Sequence, residues 1–166
     1  MGRRFRDGRG RLVVPFEAGE AGKVSGAGEA GGAVGEAHEV GGVGEAGEAH
    51  EVGGGGAAVR VPLEIAASYR ARTKGLLGRD SVEGAMLLTP AGSVHTFGMR
   101  MPIDVAYLDR HLTVLSVRTM RPGRLGRPRL RARHVLEAGA GVMAGWGVRV
   151  GVAVTVEAEA DFGHSV

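Results

Sequence analysis

Apolar and polar positions alternate with a period of two along several short stretches of this chain. The clearest is Val94 to Asp109, VHTFGMRMPIDVAYLD, where Ile103, Val105 and Tyr107 alternate with Asp104, Ala106 and Leu108. That is the pattern of a β-strand covered on both faces. Asp109, Arg110 and His111 then turn the chain into LTVLSVRT, Leu112 to Thr119, so the two runs predict a hairpin. Upstream, Val59, Val61, Leu63 and Ile65 alternate with Arg60, Pro62, Glu64 and Ala66. Pro62 has no N–H to donate, which places this strand at a sheet edge. RLVVPF (Arg11 to Phe16) predicts a first strand able to pair with it. GAMLLTP (Gly84 to Pro90) reads as a short buried strand and HVLEA (His134 to Ala138) as a short strand. In the last run, Val148 to Glu157, valines at 150, 152, 154 and 156 alternate with Arg149, Gly151, Ala153 and Thr155.

Helical signals are few. Ser68 can cap a short helix from Tyr69 to about Leu77, ended by Gly75 and Gly78. Gly139 to Gly147 suggests one helical turn carrying Val142, Met143 and Trp146. Many short strands and few helices predict a mainly β sandwich or barrel.

Residues 17–56 break the pattern. They use Gly, Ala, Glu and Val almost exclusively, with 15 Gly and no aromatic residue, and GEAHEVGG occurs at Gly35 to Gly42 and again at Gly47 to Gly54. Gly at this density opposes both helix and strand, and there is too little apolar surface to offset the entropy of ordering. The run reads as a disordered acidic insertion in the turn of the first hairpin. Closure cost grows only logarithmically with loop length, so the strands can still pair. His38 and His50, one in each copy, read as duplicated solvated residues rather than metal ligands. The expected organisation is a flexible basic stretch at 1–10, a first strand at 11–16, the insertion at 17–56, a β domain at 57–158 and a loose tail at 159–166.

Charge sharpens this division. Residues 17–56 hold eight Glu against one Lys, and the rest of the chain holds 20 Lys and Arg against ten acids. Cysteine is absent, which excludes disulfides, thiolate catalysis and Cys-based zinc sites. The apolar run near the N-terminus, Leu12 to Val14, is too short for a signal peptide, and no stretch is long enough to cross a bilayer, so the expected location is cytoplasmic.

Four stretches, RTKGLLGR (Arg72 to Arg79), GAMLL (Gly84 to Leu88), VHTFGMRMPIDVAYLD and VLEAGAG (Val135 to Gly141), occur in an order and spacing that resemble the bacterial and archaeal family called domain of unknown function 192. The resemblance covers roughly 100 residues. Two positions depart from the family pattern. Leu77 stands where Met is usual, and Leu88 and Thr89 replace a common aromatic residue. The resemblance implies a small β-sandwich of jelly-roll type with a short helix packed on it, and no assigned activity.

The polar residues within those stretches, Arg72, Arg79, His95, Arg100, Asp104 and Glu137, are the candidate ligand-binding set. Arg side chains could grip a carboxylate or phosphate while Asp104 and His95 orient them. The competing reading is a buried ion pair between Asp104 and an Arg, with Arg100 one candidate. The leading expectation is a non-enzymatic domain for a small anionic ligand or an acidic protein surface. A hydrolase- or isomerase-type enzyme using His95 and Asp104 is the rival. Its nucleophile would be Ser93 or Thr96, neither in a recognisable elbow or triad motif. One His with one acid falls short of a catalytic zinc site, and no cofactor is implied.

A second alternative rests on RTMRPGRLGRPRLRARH, Arg118 to His134, with seven Arg, two Pro and two Gly. It reads as an exposed basic run. Arg118 to Arg133 could meet nucleic-acid phosphates, but the run carries no aromatic residue for base stacking. Met86, Met99, Met101, Met120 and Met143 fit core filling better than a soft-metal cluster.

Overall fold

The computed structural model describes residues 4–15 and 58–159; the candidate insertion at 17–56, with His38 and His50, lies outside them. The strands run β1 (Gly8–Pro15), β2 (Ala58–Ala66), β3 (Ala85–Leu88), β4 (Ile103–Leu108), β5 (Val114–Met120), β6 (His134–Gly139) and β7 (Thr155–Ala158). Two short helices, α1 (Tyr69–Lys74) and α2 (Val142–Gly145), lie between them. The domain is mainly β, the class that the alternation predicted.

Among the described residues the strands make one mixed sheet in the order β5-β4-β6-β3-β2-β1-β7. Its β1–β2, β1–β7, β3–β6, β4–β5 and β4–β6 pairs are antiparallel. Only β2 and β3 run parallel, because the connection between them crosses over through α1. Both predicted hairpins are present: β1 pairs with β2 from Gly8↔Ile65 to Pro15↔Ala58, and β4 pairs with β5 from Ile103↔Met120 to Leu108↔Val114.

The sheet curls without closing into a barrel. Val114 N–H donates to the Val152 carbonyl (2.8 Å) and Val154 N–H to the Leu112 carbonyl (3.1 Å), so the segment leading into β7 crosses from the β5 edge to the β1 edge. Apolar residues of all seven strands therefore meet on the inner face, among them Leu12, Leu63, Leu87, Leu108, Val114, Leu136 and Val156, with Met143 of α2. The outer face carries its own cluster, with Leu76, Met86, Ile103, Val105, Tyr107 and Val135. Removing each such Val or Leu side chain from water stabilises the fold by about 1.5–3 kcal/mol. Met86, Met99, Met120 and Met143 are buried in these two clusters, so they serve as packing.

Four details differ from the sequence expectation. β2 is an interior strand, and Pro62 is accommodated because the β3 ladder begins only at Leu63↔Ala85. β1 starts at Gly8, inside the stretch expected to fray. There Gly10 lies so close to β7 that a Cβ would fall on the Glu157 carbonyl oxygen. α1 stops at Lys74, with Gly75 as its C-cap at φ 44°. Finally, β7 is four residues long rather than ten. Gly147 and Gly151 take positive φ, breaking the run into turns, and Val150 is exposed while Val148, Val152, Val154 and Val156 are buried.

Candidate functional site

The six residues singled out in the sequence do not converge. Asp104 is buried, and its Oδ1 accepts the Thr119 hydroxyl (2.6 Å) while Oδ2 accepts the N–H groups of Gly141 (2.8 Å) and Met143 (3.3 Å). It ties the β6–α2 connection to β4, and among the described residues no salt bridge joins it to an Arg. Arg100 lies at the surface against Asp80 (3.2 Å). Arg79 holds Glu64 through two bonds of 2.6 and 2.7 Å, and these keep the Glu64 carboxyl below its usual range. Arg72 donates to the Pro90 carbonyl (2.6 Å). His95 is exposed and stacks on Phe97, ring centroids 5.5 Å apart, so the His95–Asp104 acid–base pair is not assembled.

Glu137 is 1% exposed. It pairs with Met86 and Val105 across the sheet, on the face opposite Asp104, whose own β6 partner is Ala138. Its Oε2 has no hydrogen-bond partner, and burial pushes the carboxyl up to about 7. Among the described residues no ion pair joins any two of the six.

The Arg-rich run makes a better-defined site. β5 takes in Arg118 and ends at Met120; the chain beyond folds back over the outer face. Thr96, fully buried, rivets it. Its hydroxyl donates to the Arg121 carbonyl (2.7 Å) and accepts the Arg124 N–H (2.9 Å). Its backbone N–H donates to the Arg124 carbonyl and its carbonyl accepts the Gly123 N–H, both at 2.8 Å. Gly126 N–H reaches the Val94 carbonyl (2.8 Å) and Arg129 N–H the Gly92 carbonyl (2.9 Å). Residues 92–96 thus act as a short extra rail that turns a basic loop into a wall.

Between that wall and the β4–β5 hairpin lies a cavity of about 400 Å³, lined by Arg118, Arg121, Arg124, Arg127 and Arg129 together with Tyr107. Among the described residues none of these five guanidinium groups meets a carboxylate at ion-pair distance. Tyr107 is 2% exposed and its hydroxyl has no hydrogen-bond partner. Arg129 lies over its ring, 5.8 Å from the centroid, and donates to the Ser116 hydroxyl (3.3 Å), but its buried Nε has no acceptor. Burial raises the Tyr107 phenol despite the opposing pull of Arg129 and Arg118, so at neutral pH it remains a donor. Gly126 makes the room. A Cβ there would sit 2.5 Å from the Tyr107 hydroxyl.

A second cavity, also about 400 Å³, is lined by Phe5, Thr89, Pro90 and His134 with Arg4, Arg110 and Arg133 at its sides. Burial lowers the His134 pKa, and its Nδ1 is already engaged with the Thr89 hydroxyl (2.7 Å). Among the described residues no group of three or more His, Asp or Glu could hold a metal ion, and no helix is long and apolar enough to cross a membrane.

Tyr107 was missed in the sequence because it occupies an apolar slot of a strand alternation. Its polar end becomes visible only once the loop roofs it. The available signal was a tyrosine on the first strand of a predicted hairpin whose second strand leads into the arginine-rich run.

Comparison with known proteins gives the same fold. A family model described as an uncharacterised group, DUF192, matches residues 50–156. A UPF0127 protein of Pyrococcus horikoshii is 32% identical over 85 residues, which are 48% of this chain and 74% of that protein. A UPF0127 protein of Pyrococcus abyssi is 32% identical over 94 residues, 54% of this chain and 80% of that one. A solved protein of unknown function from Novosphingobium aromaticivorans superposes with a TM-score of 0.54 at 20% identity, covering 60% of this chain and 77% of its own. A candidate transcription regulator from Sinorhizobium meliloti superposes with a TM-score of 0.60 at 14% identity, covering 93% and 98%. At these identities the two structures speak for the fold alone.

Proposed function

The chain belongs to the DUF192 family, and from its own cavity we propose that it binds a small ligand through an oxyanion held by the arginine wall and Tyr107. The observation that carries this reading is a pair of buried donors without acceptors, the Tyr107 hydroxyl and Arg129 Nε, at a cavity whose five guanidinium groups meet no carboxylate among the described residues. A buried donor left unpaired costs about 1–3 kcal/mol. A phosphate or carboxylate group seated against the Tyr107 and Arg129 side chains would offer these donors acceptors, and arginine presents forked N–H pairs that match such groups. The anionic-ligand class expected from sequence is kept, and its carriers move. Arg72, Arg79 and Arg100 are engaged with carbonyl or carboxylate groups, so the binding charge falls to Arg118, Arg121, Arg124, Arg127 and Arg129.

Calorimetric titration with inorganic phosphate tests it. Binding should weaken as salt rises. Tyr107→Phe should weaken it about tenfold, the worth of one hydrogen bond to a charged group. Phosphate affinity unchanged in Tyr107→Phe and in Arg124→Gln would remove the cavity from consideration.

A further inference from the structure

An exposed aromatic step stands beside the cavity, linked to its lining through Leu125, and this neighbour says what the oxyanion is attached to. Leu125 lines the cavity and pairs across an isolated bridge with His95. His95 and Phe97, on the same side of that short rail, stack with their rings 25° apart. Leu125 is 70% exposed and Phe97 51% exposed, so the arginine wall is bordered by apolar and aromatic surface that nothing in the described residues covers. The arginine run itself contains no aromatic residue. The fold brings one to it through the Thr96 bonds to residues 121 and 124.

From this juxtaposition, and resting on the oxyanion site proposed above, we infer that the ligand is a nucleoside phosphate, its phosphate in the arginine cavity and its base against Phe97 and His95. An oxyanion alone would use the arginines and leave the aromatic step idle, and an apolar ring alone would leave five cations unanswered. A base stacks on an aromatic side chain irrespective of its identity. A cavity of about 400 Å³ lies within the usual range for small-molecule sites, roughly 300–1,000 Å³. The rail sets the separation, since paired strands lie about 5 Å apart.

The test titrates the full chain with adenosine monophosphate, inorganic phosphate and adenosine at one fixed salt concentration. Adenosine monophosphate should bind at least about tenfold tighter than phosphate, the gain expected of one stacked base. Phe97→Ala should bring the two to within about twofold while leaving phosphate itself unchanged, and Arg124→Gln should weaken both. Equal affinities for the nucleotide and phosphate in the native chain would overturn the nucleotide assignment and leave the oxyanion site standing. Binding of neither would overturn both. Affinity that climbs more than a hundredfold with the length of a single-stranded oligonucleotide would also overturn it, because the occupant would then be a polymer.

Discussion

Replacing Glu137 by Gln should make the protein more stable above neutral pH and leave it unchanged in acid. The carboxyl is 1% exposed between Met86 and Val105, its Oε2 meets no donor, and a Cβ on Gly75 would lie only 3.7 Å from that oxygen. Burial without a partner disfavours the charged form, which raises the pKa from 4.5 to about 7. Below pH 4.5 both the folded and unfolded chains carry the proton and there is no penalty. Between 4.5 and about 7 the unfolded chain releases it while the folded chain keeps it, so stability falls by about 1.4 kcal/mol per pH unit. Above that window the loss is complete, about 3 kcal/mol in all. Glutamine is neutral throughout and carries no such term.

Urea unfolding of both proteins from pH 4 to 8.5 measures this, since the midpoint multiplied by the slope gives stability at each pH. The two curves should meet near pH 4.5 and diverge to about 3 kcal/mol by pH 8. Titrating groups common to both proteins cancel in the difference. Parallel curves with a constant gap would refute the reasoning, because they would mean that the carboxylate is compensated in the folded state.

Two further outcomes follow from the hydrogen bonds. Asp104→Asn should cost about 2 kcal/mol at neutral pH, because the charged acceptor for the Gly141 and Met143 N–H groups is lost; urea unfolding reads it, and native stability would contradict the anchoring role. Thr96→Val, nearly the same shape, should leave the Arg121 carbonyl and the Arg124 N–H without their hydroxyl partner. It should cost about 1–3 kcal/mol and speed hydrogen exchange at Gly123, Arg124 and Gly126 while the β4–β6 amides stay protected.

The strands were legible from their apolar positions, alternating where one face is covered and nearly continuous where both are. Leu12 and Val14 in β1 are of the first kind, and Ile103 to Leu108 and Ala85 to Leu88, buried at every position, are of the second. What the pattern could not carry was partnership. Asp104 lies four residues from Arg100, yet its donors are Thr119 and two backbone groups near Gly141, because the strand turns its carboxyl to the inner face. Pro62 argued for an edge on local grounds. Its place is interior because of where a different strand begins. The candidate site followed the same rule: the arginine run read correctly as basic, but its conversion from loop to cavity depends on the Thr96 hydroxyl and on the missing Cβ of Gly126.

The first hairpin is built from two strands that lie far apart in the sequence. β1 sits between β2 and β7, paired to both, and yet it lies outside the region of 50–156 that carries the family match. β1 meets the rest of the domain through residue-by-residue ladders, from Gly8↔Ile65 to Pro15↔Ala58 on one side and from Gly10↔Ala158 to Val13↔Thr155 on the other. A cut between Pro15 and Ala58 therefore leaves a peptide and a domain with a vacant strand slot, whose edges present unpaired N–H and carbonyl groups in the right frame. Reassembly of the two pieces becomes a bimolecular event set by concentration, which makes this position a natural place to split the protein into a reporter pair or to insert a foreign domain.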